Sequence, residues 1–334
     1  MIKKTNIIIN PYKNFFGKTK TFLEKKFPKL LENYILPINL LFADRLFFFS
    51  SKKIVSQYLD KEIFPIFQTI EIETINRCNG TCSFCPINRK IDPRPYKLMD
   101  EFLFYSIIEQ LKDLNYEGYL GLYSNNEPLL DKRIISFLKQ AKESLPNAKL
   151  YLFTNGSLLT LELFKQLMIY IDWITIDNYN DNLVLNEPIK KIYEYARKLP
   201  YSEQKKVHIY LRKENEILLN RGGQAKNRTT QNCKMKSACL YPFEQVIIRP
   251  DGKLSLCCND ALGKITMGDL TNDLLIDIWR SNEYRELRKT MLLNRAKCNL
   301  CKYCDTITPK MPHGFSFKIK NIFSIFIKKD STPL

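Results

Sequence analysis

From residue 69 onward, short apolar runs alternate with segments in which apolar residues recur every three or four positions. The apolar runs are of strand length and the periodic segments are of helix length. The predicted strands span residues 69–74, 118–123, 149–153, 173–176 and 206–211, and the predicted helices span 100–113, 131–145, 159–170 and 187–199. Such alternation is typical of βα units around a parallel sheet. We therefore predict an α/β fold with a complete or partial barrel and active residues at the carboxyl ends of its strands.

The predicted helix over residues 100–113 has a readable start and a readable face. Asp100 is its first residue, and as a cap its carboxylate can accept hydrogen bonds from the first free backbone N–H groups. Phe102, Ile107 and Leu111 are predicted to belong to the apolar face that packs on the sheet.

The regular alternation stops on both sides of this central region. Residues 18–34 and 39–59 predict amphipathic helices, and beyond residue 211 the pattern predicts a hairpin, 244–249 with 253–257, and a long helix over 271–293. We predict an N-terminal helical extension over 1–68, a partial barrel over 69–232, a small cysteine-containing domain over 233–309 and a basic tail over 310–334.

The positive charge is concentrated at the two ends of the chain. The net charge is +17 over 334 residues, of which residues 1–69 carry +7 and residues 306–334 carry +4. Two interpretations stay open: basic, solvated ends on an ordinary core, or a tail that meets nucleic acid, an acidic peptide or a membrane surface. The first is favoured because no recognisable nucleic-acid module interleaves basic and aromatic residues. Residues 315–329 alternate aromatic residues, Ile and Lys, and predict an interfacial helix or a poorly ordered tail.

The ten cysteines fall in two groups, 78–85 and 233–304. The start of the chain is too short and polar for a signal peptide, and the apolar stretch 36–49 is interrupted by Pro37, Asp44 and Arg45. We expect a cytoplasmic chain, in which clustered cysteines are ligands of metals or clusters rather than disulfide partners.

The first group follows the first predicted strand of the barrel. Cys78, Cys82 and Cys85 have a C-x3-C-x2-C spacing. Three thiolates are one fewer than a closed zinc site requires, whereas they suit a [4Fe–4S] cluster with one open iron. With Phe84 and Pro86 beside Cys85, this loop resembles the cluster loop of radical S-adenosylmethionine (SAM) enzymes, and the resemblance extends over about residues 69–305.

Further motifs follow the next strands in the order that this family uses. Glu127-Pro128 resembles the end of the family's G-G-E-P element, with Asn125 and Asn126 in place of the two glycines. Each motif alone is common in turns, but their order behind the cysteine loop supports the resemblance. The resemblance implies SAM contacts by Phe84, Asn126, Glu127, Thr154, Asn155 and Asp177, with Glu127 accepting from the SAM amino group.

The second cysteine group allows two metal sites. Zinc is one alternative, since a hairpin and a C-x2-C knuckle can form a ribbon. The order of the hairpin, the helix and the cysteines also resembles the auxiliary-cluster region of SPASM and twitch proteins, which implies one auxiliary [4Fe–4S] cluster. The preferred ligands are Cys239, Cys257, Cys298 and Cys301, with Cys304 as a possible replacement for one of the last two and with Cys233 and Cys258 as structural cysteines.

The resemblance implies reductive SAM cleavage to a 5′-deoxyadenosyl radical that abstracts hydrogen from a substrate. A reductant such as flavodoxin or ferredoxin is expected as partner. The auxiliary cluster, with four protein thiolates, is expected to accept an electron, which fits a dehydrogenase-like oxidation of a sugar or cyclitol. Arg221 is either on the substrate side of the site or a surface loop arginine. His208 is expected to be structural, and no general base is identifiable.

Two other functions are weighed against this one. A peptide maturase of the same superfamily is less favoured, because residues 1–68 lack the strand and helix order of a peptide-recognition domain. A zinc-ribbon nucleic-acid-binding protein would explain the basic ends and the last cysteines. It would leave Cys78, Cys82, Cys85 and Glu127 without a role.

Overall fold

A computed structural model describes residues 6–228 and 235–308 of the chain. The predicted basic tail, the interfacial-helix alternative within it and Cys233 lie outside the described residues.

The described strands form one mixed sheet. They are β1 (Ile8–Ile9), β2 (Thr69–Ile72), β3 (Tyr119–Gly121), β4 (Lys149–Thr154), β5 (Trp173–Tyr179), β6 (Val207–Arg212), β7 (Gln245–Ile248), β8 (Lys253–Ser255) and β9 (Thr266–Asp269). Their order is β1-β6-β5-β4-β3-β2-β7-β8-β9. All pairings from β1 to β7 are parallel, and β8 and β9 add antiparallel strands. The predicted partial barrel is therefore confirmed, and its sheet continues into the cysteine-containing domain through β7.

The helices cover the sheet and form the N-terminal extension. They are α1 (Phe15–Lys26), α2 (Pro28–Leu30), α3 (Leu36–Leu59), α4 (Glu101–Asp113), α5 (Ile134–Ser144), α6 (Leu161–Tyr170), α7 (Glu187–Ala196), α8 (Tyr201–Gln204), α9 (Tyr241–Glu244), α10 (Leu275–Arg280) and α11 (Asn282–Leu293). A π-helical turn, Leu31–Ile35, joins α2 to α3, and 3₁₀ turns occupy Pro128–Leu130, Arg295–Lys297 and Cys301–Tyr303. The apolar faces of α4 to α7 and of the strands form one continuous core.

The prediction for the buried face of α4 is partly wrong. Asp100 caps the helix as predicted, accepting from the N–H groups of Phe102 and Leu103. The Phe102 side chain, however, is 83% exposed, and Phe104 is buried in its place. Phe104 stands three and seven positions before Ile107 and Leu111, which is the spacing of one helix face.

The predicted long helix over residues 271–293 is also wrong, because two helices, α10 and α11, occupy this stretch. Ser281 between them has an extended backbone, with φ −60° and ψ 164°, and its hydroxyl accepts from the N–H of Tyr284. Ser281 thus caps a new helix instead of continuing the old one.

The N-terminal extension is attached to the rest of the chain by a strand pairing and by hydrogen bonds to α3, among other contacts such as that from the Tyr12 hydroxyl to Glu216. Strand β1, which the sequence did not predict because it has two residues, pairs with the edge of β6. In α3, the Asp44 carboxylate accepts from the backbone N–H groups of Lys236 and Ser237 at 2.8–3.1 Å, and the Ser51 hydroxyl accepts from that of Ala238. Helix α3 therefore holds the segment that leads into Cys239.

Candidate functional site

The first three cysteines lie in a tight loop after β2. The N–H of Gly80 donates to the Cys78 sulfur at 3.3 Å, and the position of a Cβ atom on Gly80 would be 3.4 Å from that sulfur and 3.9 Å from the Cys82 sulfur. The Asn88 side chain donates to the carbonyl groups of Cys82 and Cys85 at 3.1 Å each. The loop therefore curls around a small space bordered by sulfur.

The electrostatics of these thiols fit an iron cluster. Burial raises the pKa of Cys78 to about 12, with further contributions from Glu127 and Cys85. Burial also raises the pKa of Cys82, and its neighbours Cys85 and Cys78 add to the effect. Cys78 and Cys82 resist ionisation on their own, so they need a cation to stabilise their thiolate forms. Iron ions would supply that charge.

Glu127 connects two of the predicted SAM-binding elements. Its side chain is 2% exposed, although it follows β3 at the carboxyl edge of the sheet. It accepts from the Thr154 hydroxyl at 2.7 Å, the Asn155 N–H at 2.8 Å and the Leu129 N–H at 3.1 Å. Burial raises its pKa to about 7 despite these donors. A carboxylate has about four lone-pair directions, so one more donor can be accepted here.

Asn155 connects the cysteine loop to the loop after β4. Its side-chain N–H donates to the side-chain oxygen of Asn79 at 2.7 Å, and Asn79 donates to the Ser157 hydroxyl at 2.9 Å. Gly156 has φ +71°, a left-handed conformation in which a Cβ would also clash with Ile189. The sequence analysis identified Asn155 as a candidate site residue. It did not identify Asn79, for which the only indication was its position inside the cysteine motif.

The side chain of Asn126, which follows β3, has a hydrogen-bond donor available to a ligand. Its side-chain oxygen accepts from the N–H of Ser124 at 2.9 Å. Its side-chain nitrogen is buried and has no hydrogen-bond partner within the described part of the chain. A buried donor without an acceptor is costly, so a ligand oxygen is expected there.

Phe84 and Asp177 lie on the β5 side of the site. The Phe84 ring stands 6.0 Å from the ring of Tyr179, at the end of β5. Arg212 forms a salt bridge with Glu216, with 3.0 Å between the nitrogen and the oxygen. Burial by itself lowers the pKa of Arg212, but the carboxylates of Glu216 and Asp177 raise that pKa overall. Asp177 therefore lies within the field of a buried arginine, which the sequence did not indicate.

Arg221 is not a solvated surface arginine. It is half-buried with φ 52°, and its guanidinium donates to the side-chain oxygen of Asn125. The backbone N–H of Asn125 donates to Glu73 at 3.0 Å, and its carbonyl accepts from Arg94 at 3.1 Å. Asn125, which the sequence marked only as a departure from glycine, thus connects β2, β3 and the Arg221 loop.

The same loop contacts the second cysteine region. The N–H of Asn220 donates to Asp305 at 3.0 Å, and Gln224 donates to Asp260 at 3.1 Å. Gly222 has φ +61°, and a Cβ there would lie 2.8 Å from the Leu300 side chain. The loop therefore lies between the two cysteine groups and touches both sides.

Several of the later cysteines are near enough to one another to affect each other's pKa. Burial raises the pKa of Cys257, and Cys258, Cys239 and Cys304 add to the effect. A hydrogen bond from Cys301 lowers the pKa of Cys298 to about 6, and that bond together with burial raises the pKa of Cys301. Since Cys304 affects the pKa of Cys257 alongside Cys239, the choice among the knuckle cysteines stays a prediction.

Arg295 is a candidate site residue that the sequence analysis did not single out. Its side chain is 2% exposed and donates to the carbonyl groups of Cys304 and Thr306 at 3.1 Å each. Burial alone lowers its pKa, but the neighbouring Cys304, Cys239 and Cys301 raise it. A buried guanidinium beside several thiols fits a centre that carries net negative charge, as a cluster with four thiolates does. Its signal was its position three residues before Cys298.

Residues 72–216 match the Radical SAM superfamily, and residues 239–305 match the SPASM iron-sulfur cluster-binding domain. The chain is 27% identical over 256 residues to an S-adenosyl-L-methionine-dependent 2-deoxy-scyllo-inosamine dehydrogenase of Niallia circulans, covering 75% of this chain and 98% of that protein. It is 28% identical over 145 residues to an S-adenosylmethionine-dependent nucleotide dehydratase of Flammeovirga pacifica, covering 36% of this chain and 48% of that protein.

Among solved structures, the fold resembles that of BtrN in complex with AdoMet and 2-DOIA. The TM-score is 0.64 at 25% identity, and the match covers 74% of this chain and 96% of BtrN. Both domain matches favour iron–sulfur clusters over the zinc alternative. Within residues 6–228 and 235–308, none of the helices combines the length and the apolar character needed to cross a bilayer.

Proposed function

Because this chain belongs to the radical SAM superfamily and carries a SPASM-type iron–sulfur domain, we propose that it oxidises an alcohol carbon of a sugar or cyclitol. The dehydrogenase of Niallia circulans, whose length is almost fully matched, supports a small polyhydroxylated substrate. The observation that carries the proposal is the position of the Arg221 loop, which touches the SAM side through Asn125 and the second cysteine region through Asn220 and Gly222.

The first cluster would be held by Cys78, Cys82 and Cys85, with its open iron available to SAM. When bound, this cluster and SAM supply a 5′-deoxyadenosyl radical that removes a hydrogen atom from the substrate. The Asn155–Asn79 hydrogen bond would help to hold the loop after β4 against one side of the cysteine loop.

Protein groups around this cluster are suited to orient SAM. The Glu127 carboxylate would use its remaining lone pair to accept a hydrogen bond from the ammonium group of SAM. The Thr154 hydroxyl and the Asn155 N–H hold the Glu127 carboxylate in place. The unpartnered Asn126 nitrogen would donate to a SAM oxygen. Phe84 would pack near the adenine, and Asp177 would lie near the ribose.

The second cluster would be held by Cys239, Cys257, Cys298 and Cys301, with Cys304 as the alternative to one of the last two. Four protein thiolates leave no open iron, so this centre is suited to accept an electron rather than to bind substrate. Oxidation of an alcohol to a ketone releases one hydrogen atom, one proton and one electron. The hydrogen atom would go to the radical, the proton to a basic group or water, and the electron to the second cluster.

Arg221 is the protein group that we place beside the substrate. Its guanidinium has five N–H donors and is anchored by one of them to Asn125, which leaves donors for substrate hydroxyl oxygens. A flavodoxin or ferredoxin is proposed as the external reductant. Such a partner and reduced cysteines support a cytoplasmic location for the enzyme.

The test is anaerobic incubation of the reconstituted full-length protein with SAM and dithionite. We expect about eight irons per chain, as two [4Fe–4S] clusters require, and 5′-deoxyadenosine that Cys82→Ala does not form. With a panel of sugars and cyclitols deuterated at carbinol carbons, the true substrate class should transfer deuterium into 5′-deoxyadenosine and yield a ketone. Bound zinc without SAM cleavage would contradict the radical SAM assignment, and stimulation by peptides alone would contradict the substrate class.

A further inference from the structure

The N-terminal extension contains a helical rod with two different apolar faces. Helix α2, the π-helical turn and α3 run without a break from Pro28 to Leu59, about 48 Å at the usual rise per residue. One face is buried against the protein through Leu31, Leu36, Ala43, Phe47 and Val55.

The opposite face is apolar but exposed, and we refer to it as the outer apolar stripe. It consists of Leu30, Tyr34, Ile38, Leu41, Phe42 and Phe49, which are 46–79% exposed. These residues recur mostly at intervals of three or four along the rod, so they form a line on one side. Phe22 and Phe27, whose rings are 6.1 Å apart, are also exposed at the end of α1 next to the rod. Isolated exposed apolar residues are ordinary, but a contiguous row of this size marks an interaction surface.

The charges around the stripe are positive. Lys29, Arg45 and Lys53 are exposed on the rod. The carboxylates between residues 28 and 59 are Glu32, which is half-buried, and Asp44, which is buried and hydrogen-bonded to the backbone of residues 236 and 237. Residues 1–69 as a whole carry a net charge of +7. The surface therefore combines apolar contact area with cations. Neither of the two carboxylates of the rod, Glu32 and Asp44, is fully exposed.

We propose that the outer apolar stripe lies in the headgroup region of an anionic phospholipid membrane, as an in-plane anchor. Helices that lie in a membrane interface combine Phe and Leu on one side with Lys and Arg beside them. Anionic lipids attract such cations, whereas two copies of this chain facing each other would bring like charges together. The proposal concerns where the enzyme works and is independent of its reaction.

The experiment is co-sedimentation of the full-length, cluster-loaded protein with phosphatidylcholine vesicles, with and without about 30% phosphatidylserine. We expect about tenfold tighter binding to the anionic vesicles, weakened by salt at about 0.5 M. The double variant Phe42→Ser/Phe49→Ser should bind about tenfold more weakly while forming 5′-deoxyadenosine from SAM as fast as wild type. The matched control is Phe102→Ser on α4, whose side chain is 83% exposed outside the rod; it should leave vesicle binding unchanged.

Three outcomes would overturn the proposal. The first is equal vesicle binding by wild type and the Phe42→Ser/Phe49→Ser variant. The second is equal binding of wild type to neutral and anionic vesicles, together with undiminished vesicle binding by the double variant Arg45→Glu/Lys53→Glu. The third is absence of vesicle binding combined with a concentration-dependent dimer that the double phenylalanine variant abolishes, since this would assign the stripe to a protein contact.

Discussion

The Arg221 guanidinium donates a hydrogen bond to the side-chain oxygen of Asn125, across 96 positions of the chain. Asn125 stands where the family element has a glycine, so it supplies an acceptor that the family pattern lacks. Around it, Glu73 accepts from its backbone N–H and Arg94 donates to its carbonyl. Asn125 is thus a positioning residue for the arginine that we place beside the substrate.

We predict that Asn125→Gly separates SAM cleavage from substrate oxidation. The backbone contacts to Glu73 and Arg94 remain, but Arg221 loses its acceptor. A small misplacement of a positioning group lowers rates by about a hundredfold, so the yield of oxidised product per 5′-deoxyadenosine should fall markedly. Asn125→Asp, which keeps an acceptor, should restore part of that yield. An unchanged ratio in Asn125→Gly would show that the Arg221 contact has no role in the reaction.

Glu127→Gln is predicted to weaken SAM binding while leaving both clusters intact. The amide keeps a carbonyl acceptor for Thr154 or Asn155 but loses the charge that pairs with an ammonium group. Hydrogen bonds to charged groups contribute about 1.5–3 kcal/mol, so the Kd for SAM should rise by roughly ten- to a hundredfold. Equilibrium binding of SAM, followed with iron content and absorbance as controls, measures this. An unchanged Kd would remove Glu127 from the SAM site.

Asp44→Ala is predicted to destabilise the protein through the attachment of α3. The substitution leaves the buried backbone N–H groups of Lys236 and Ser237 without their acceptor. Unsatisfied buried donors cost about 1–3 kcal/mol each, so the free energy of unfolding should fall by about 2–4 kcal/mol. The matched control is Asp60→Ala at the exposed end of α3, expected within about 0.5 kcal/mol of wild type. Thermal unfolding of the holoprotein compares the two, and equal midpoints would contradict the prediction.

Arg295→Gln is predicted to lower the reduction potential of the auxiliary cluster. Its guanidinium is buried beside the later cysteines, and positive charge near a cluster favours the reduced, more negative state. If the substitution removes a tenfold preference for the reduced state, the reduction potential of this one-electron couple falls by about 60 mV. A redox titration monitored by electron paramagnetic resonance measures the shift, and Arg295→Lys, which keeps the charge, should retain most of the potential. A wild-type potential in Arg295→Gln would place the guanidinium outside the field of the cluster.

Several features were predictable because their signals are local. The strands and helices from β2 to β6 follow from hydrophobic period, and the Asp100 cap follows from residue type and position. The cysteine groups, Glu127, Thr154 and Asn155 were recognised from short spacings at strand ends. Local signals failed at Phe102 on α4, which stands two positions before the buried Phe104, and at the helix break at Ser281.

The sequence by itself therefore determined the α/β class, the two cysteine groups and the positions of the motifs along the chain, since each depends on neighbours within a few residues. The tertiary structure decided which distant residues meet. The Asn125–Arg221 contact and the Asp44 attachment join segments that no spacing relates. It also decided which face of α3 is covered, because both faces are apolar and only packing against the rest of the chain buries one and leaves the other exposed.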